Sequence, residues 1–278
     1  MRPEGGNIDE ATVSGFGDEW TRFDQRALST EERQRIFDDY FAVFPWESIG
    51  RVSTGVDIGC GSGRWAAVIA PRVGMLHCVD PSAAIDVARR NLAELPNVEF
   101  HRASVDALPF PDGSLDFAYS LGVLHHVPDT AGAIASVGRK LKRGAPLLLY
   151  LYYAFDNRSA WFRALWALSD LLRRGIARLP HGLRYAASQV IAALIYWPLA
   201  RTARALERMG MLSASFPLAA YRRLSFYTMR TDALDRFGTR LEQRFTRAQI
   251  TTMLEAGGFR DVRFSGRVPY WCCVATRD

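Results

Sequence analysis

The chain has 278 residues, 49% hydrophobic and 23% charged, with 35 basic side chains against 29 acidic ones and a net charge of +6. That balance excludes a disordered chain and allows one full core carrying an insertion. The positive excess suits nucleic acid, anionic lipid, an acidic metabolite or plain solubility; it contains no run of five like charges and is mostly arginine between Arg158 and Arg247.

Residues 1–14 are polar and glycine-bearing, so little order is expected there. Phe16, Trp20 and Phe23 follow at helical spacing, and Ser29 with Glu32 reads as a capping box opening a helix to Phe44. Strand and helix signals then alternate: strand 55–58, helix 64–70, strand 76–79, helix 83–95, strands 98–101 and 115–119, helix 130–141 and strand 146–153. Short apolar strands separated by helices imply a parallel sheet covered on both faces, with ligands beyond the carboxyl ends of the strands. After residue 153 the pattern changes. Residues 160–174 carry Trp161, Leu165, Leu168 and Leu172 on one helical face and Arg163, Asp170 and Arg174 on another. Arg184 and Arg201 enclose sixteen uncharged residues, short of the roughly 20 a membrane span needs, which reads as a buried helix or an interfacial, lipid-contacting one. The loop 209–217 is the best internal flexible point.

The four cysteines have no metal-ligand spacing: Cys60 lies in a glycine turn, Cys78 in a strand, and Cys272 and Cys273 on opposite faces of another, so no metal site is expected. The N-terminus lacks the apolar stretch of a secretory signal, which points to a cytoplasmic location.

The most informative stretch is Val56–Trp65, VDIGCGSGRW. An apolar strand runs into a turn in which Gly59, Gly61 and Gly63 let main chain approach a ligand. A dinucleotide fold needs its third glycine one position later, where this chain has Arg64. Asp57, two residues before the first glycine, attracts an ammonium group and repels a pyrophosphate, so a cationic nucleoside cofactor fits better than a dinucleotide. Asp80 follows about 20 residues on, where a carboxylate can accept from both ribose hydroxyls; its alternative role is capping the helix after Pro81 and Ser82.

With LHCVDPS, ASVDALPFPDGSLDFAYS and LGVLHHVPD in order behind it, the glycine turn resembles the first motif of the class I S-adenosylmethionine-dependent methyltransferases, type-11-like, with a small-molecule acceptor. The likeness is strong over 50–153, looser over 245–278 and absent between. It implies a doubly wound, mostly parallel seven-stranded Rossmann-like sheet with a helical insertion between strands five and six. It also implies four regions: an N-terminal helical segment or lid (1–49), the cofactor core (50–153), an insertion capping the acceptor (154–240), and a helix and strands completing the sheet (241–278).

The cofactor implied is S-adenosylmethionine, held by Asp57, Gly59, Cys60, Gly61 and Gly63, by Asp80 and Pro81, and by Leu121 with Gly122 through main chain. Ser104 stands where the family often has an acidic residue, so the adenine amino group falls to Ser104 with Val105, or to Asp106 through a shifted loop. Trp20 or Phe23 either covers the cofactor or packs at the domain edge. Methyl transfer to a hydroxyl needs a base, and His126 or His125 just past strand four could supply an imidazole of pKa about 6.5. Both also suit helix-start bonding or packing, as Tyr152, Tyr153, Tyr270 and Trp271 suit either a pocket or the core. The expected acceptor is a small molecule methylated on oxygen, a sugar, polyketide or lipid-linked metabolite, and the composition does not favour nucleic acid. A non-catalytic cofactor-binding scaffold and a nitrogen or carbon acceptor stand as alternatives.

Overall fold

The computed structural model describes residues 6–213 and 216–278; parts of the N-terminal tail and of the 209–217 loop singled out above lie outside the described residues. Seven short apolar runs form β1 (Thr54–Ile58), β2 (Met75–Val79), β3 (Val98–His101), β4 (Phe117–Leu121), β5 (Pro146–Tyr150), β6 (Phe259–Phe264) and β7 (Cys272–Arg277). They make one sheet in the order β3-β2-β1-β4-β5-β7-β6, parallel through β5, with β7 antiparallel to both its neighbours. The helices are α1 (Glu10–Arg22), α2 (Thr30–Tyr40), α3 (Ala66–Ile69), α4 (Ala84–Asn91), α5 (Thr130–Lys140), α6 (Ala160–Ile176), α7 (His181–Ile191), α8 (Trp197–Arg208), α9 (Phe226–Gly238) and α10 (Arg247–Ala256).

The chain divides into two compact units: residues through Gln25 with Arg33–Ala154 and Leu241–Asp278, and Arg26–Glu32 with Phe155–Arg240. In the first, strand alternation sends successive side chains to opposite faces of the sheet. Leu147 and Leu149 join a core with Ile134, Val137, Ile250 and Leu254 from α5 and α10, whereas Leu148 joins Phe37, Ile69 and Ile85 on the other face. The doubly wound class is therefore confirmed. Strand order reverses between β1 and β4, which opens the crevice where such sheets bind ligands.

Several boundaries differ from the expected ones. Strand four starts at Phe117 rather than Leu115, because Asp116 bonds back to Thr54 through its N–H and its carboxylate (both 2.8 Å) while Leu115 bridges Leu141. The fifth strand stops at Tyr150: the Tyr152 carbonyl instead accepts from Phe245 N, and Ala154 N donates to Phe245 O (both 2.9 Å). The capping box at Ser29 is half formed. Ser29 Oγ accepts from Glu32 N at 3.1 Å, but the Glu32 carboxylate accepts from Ser225 N and the Thr228 hydroxyl.

In the second unit, Ile176, Ile191, Tyr196, Met229 and Phe237 form a small core. The apolar 184–201 stretch is not one regular helix: a π turn over Ala192–Tyr196 joins α7 to α8, and Pro198, which has no N–H to donate, sits just after it in the first turn of α8. Charged side chains point inward. Asp170 and Arg173 are each 5% exposed and paired at 2.6 Å, and Arg173 Nη1 also donates to Thr239 O at 2.8 Å. Among the described residues, no helix is long and apolar enough to cross a membrane.

Candidate active site

The site grows from the end of β1. Asp57 lies between its register partners Cys78 and Tyr119, almost wholly buried, with no hydrogen-bond partner for Oδ2. Burial pushes its carboxyl up to about 8; the Tyr119 hydroxyl opposes the rise, Asp80 adds to it and Arg64 reduces it. Such a carboxyl is protonated at neutral pH until a cation arrives. Gly59, Gly61 and Gly63 have φ of +76°, +54° and +78°. At Gly59 an added Cβ would also fall 2.4 Å from Val123, so both backbone hand and space require glycine.

Asp80 closes the turn from the next strand. Its Oδ2 accepts from Gly61 N at 3.0 Å, and Oδ1 accepts from the Ser82 amide and hydroxyl at 2.9 and 2.6 Å. Ser82 Oγ in turn accepts from the N–H of Ala84, the first residue of α4, so the Asp80 carboxylate does not itself cap that helix. A carboxylate oxygen has two lone pairs, so Oδ2 retains room for a hydroxyl. Beyond β4, an added Cβ on Gly122 would meet nothing within 4 Å, which marks open space beside Leu121. The buried Oδ2 of Asp57, the glycine cradle and this space fit a cationic nucleoside.

The remaining residues are placed less uniformly. Cys60 is buried in the turn, its thiol pushed well above the ordinary range by burial and then by Cys78. Pro81 is half-buried beside Asp80, and Ser104 is half-buried in the loop after β3. Val105 points into the core, and Asp106 is exposed with Oδ2 accepting from Asn7 N at 3.1 Å. No local pattern announces that tie; Trp20, one of the two residues expected to cover the cofactor or pack at the domain edge, lies over the turn, where it would be 2.9 Å from a Cβ on Gly61. Phe23 is buried instead.

The two histidines form a 3-10 turn with Leu124. His125 is fully buried and stacks on Tyr152 with ring centroids 3.8 Å apart. Burial, with help from His126 and Arg244, holds its imidazole well below the ordinary value, so it stays neutral. His126 Nδ1 lies 2.6 Å from the carbonyl of Leu241, and Phe16 packs at 5.0 Å. A carbonyl only accepts, so the proton sits on Nδ1 and Nε2 is the basic nitrogen of the neutral ring. Gln243 fixes the turn by donating its N–H to His125 O (3.0 Å) and its amide to Val127 O (2.6 Å). Tyr153, Tyr270 and Trp271 pack together against the core. Sequence spacing also missed one group of possible metal donors, His77, Glu99 and His101, where the two rings share a 3.1 Å hydrogen bond and Phe110 packs on both.

A family model described as a methyltransferase domain matches residues 56–149. The trans-aconitate 2-methyltransferase of an Azoarcus species is 29% identical over 189 residues, 66% of this chain and 69% of that protein. The 27-O-demethylrifamycin SV methyltransferase of Amycolatopsis mediterranei is 30% identical over 131 residues, 45% of this chain and 47% of that one. The match spans only 39% and 42% of the length of two further curated relatives. A solved structure of a possible exported protein from Bordetella parapertussis shares the fold, with a TM-score of 0.55 and 18% identity over 94% of this chain and 79% of that one. Motif, sheet order and family match agree that residues 56–149 form a methyltransferase domain of the class I, S-adenosylmethionine-dependent type.

Proposed function

We propose that this chain methylates an oxygen of a small-molecule acceptor, a sugar, polyketide or lipid-linked metabolite, in the cytoplasm. The oxygen-acceptor reading rests on His126, an imidazole just past β4 held through Nδ1 by Leu241 O, as the base that takes a hydroxyl proton. The two relatives named for small acceptors support the substrate class.

S-adenosylmethionine supplies an electrophilic methyl group. Around it, Asp57 holds the amino end, Gly59, Cys60, Gly61 and Gly63 give main-chain contact, and Asp80 with Pro81 takes the ribose. Ser104 and Val105 take the adenine in preference to Asp106, whose carboxylate is engaged by Asn7. Leu121 approaches by main chain at the open space beside Gly122. Trp20 over the turn supports residues 1–49 as a lid, and residues 154–240 select the acceptor. His125, neutral and stacked on Tyr152, positions His126 rather than moving a proton.

Incubation of the protein with isotopically methyl-labelled cofactor and fractionated metabolites tests the reading: label should enter an oxygen, released by mild base from a methyl ester or by hydriodic acid from a methyl ether. His126→Gln should lower turnover by about 10²–10⁴-fold with S-adenosylhomocysteine affinity unchanged. Equal turnover in the variant removes His126 as base; label on nitrogen or carbon moves the acceptor class; tight cofactor binding with no transfer leaves a scaffold.

A further inference from the structure

The helical unit carries a basic excess the rest of the chain lacks. Residues 155–240 contain fourteen arginines, no lysine and five acidic residues, while the remainder has 21 basic against 24 acidic side chains. Its helices are also inverted relative to the usual pattern, in which an amphipathic helix buries its apolar stripe. On α6 the stripe Trp161, Leu165, Leu168 and Leu172 is exposed, with Leu168 at 68% and the adjoining Leu171 at 70%, while Asp170 and Arg173 are inside. On α7 and the π turn, Leu183, Val190, Leu194 and Ile195 are exposed, with Leu194 at 71%, while Arg184 and Ser188 are buried and Arg184 donates to Gly238 O at 2.7 Å. The inward polar groups are hydrogen-bonded, so the inversion is part of the fold.

Trp197, 40% exposed, continues this line into α8, and at i+4, i+7 and i+11 from it come Arg201, Arg204 and Arg208. Arg201 lies 4.0 Å over the Trp197 ring. Leucine and tryptophan followed on one helix face by guanidinium groups are the two halves of an interfacial membrane contact: apolar chains enter the acyl boundary and arginines meet phosphate.

We propose that the exposed faces of α6 and of α7–α8 dock on an anionic lipid bilayer, lying in its interface without crossing it. Charge decides between occupants. A second copy would bring the same arginine-rich surface against this one, whereas an anionic headgroup layer supplies the opposite sign over the whole face. The inference stands apart from the methyl-transfer reading.

Flotation of the full chain with vesicles tests it, using phosphatidylcholine alone and about one part phosphatidylglycerol to two parts phosphatidylcholine. The protein should float with the anionic vesicles at least tenfold better than with the neutral ones, and about 0.5 M salt should reduce that binding at least tenfold. Leu168→Glu with Leu194→Glu should abolish flotation while S-adenosylhomocysteine binding and the melting temperature hold. Should that variant not fold, Arg204→Gln with Arg208→Gln, both exposed and outside the core, should still lower anionic binding several-fold. Equal binding to both vesicle types overturns the proposal, as does failure to float combined with a dimer in sedimentation that Leu168→Glu dissociates.

Discussion

Leu147, Leu148 and Leu149 on β5 are fully buried, whereas Leu165, Leu168 and Leu172 on α6 are 47–68% exposed; the same residue type takes opposite places in the two units. In the α/β unit the core is built on both faces of the sheet, and Val52 and Val268 are its exposed large aliphatic side chains among the described residues. In the helical unit a buried ion pair and buried arginine stand where aliphatic side chains would be expected. Burial asks which face of an element has a neighbour, and periodicity says only that two faces differ. A stripe kept apolar while facing out, with charged groups bonded inside, is an unpartnered surface, which is what the vesicle experiment addresses.

The sharpest way to break this contrast is the ion pair. Asp170→Ala should destabilise the protein by about 3–5 kcal/mol in denaturant titration, because it strands Arg173 without its buried partner. Burial works against the ionised Asp170 carboxyl, but the Arg173 hydrogen bond and charge, with Arg174, hold it below its ordinary value. Next, Leu148→Ala should cost about 2–5 kcal/mol, and Leu168→Gln should stay within about 0.5 kcal/mol in detergent-free buffer. Equal losses for the two leucines would mean that α6 packs against something in solution.

Smaller effects test the cofactor end. Asp80→Ala should weaken S-adenosylhomocysteine binding about tenfold or more by calorimetry, on the order of 1.4 kcal/mol. The same end of the site also carries a slope in pH. Asp57 carries a proton to about 8 in the folded state, above its unfolded range, so the fold loses stability as pH climbs from the ordinary carboxylate range through about 8. A cationic ligand needs the ionised form and must displace that proton. Affinity should therefore rise by up to about tenfold per pH unit below 8, with proton release measurable in buffers of different ionisation enthalpy. Asp57→Asn should flatten the slope.

The glycine turn, its flanking carboxylates and the alternation of strands were legible because each depends on residues close in sequence. Asp57 at the end of a strand needs only its own neighbours to be read. The contact that sets the His126 tautomer joins positions 115 apart, and Glu32 meets Thr228 across 196, so no local pattern announces either. Helical spacing singled out Trp20 and Phe23 as candidate covers, but only the fold shows that Trp20 is the one over Gly61. The orientation of α6 was illegible for a different reason. Its moment is strong, but the direction of that moment in the folded chain depends on what Asp170 and Arg173 find inside.

The charge of the helical unit is carried wholly by guanidinium groups. With no primary amine between residues 155 and 240, acylating reagents and enzymes that neutralise lysine have nothing there to modify, and no attainable alkalinity discharges it. The charge of these arginines is therefore the same at every attainable pH, and salt is what screens it.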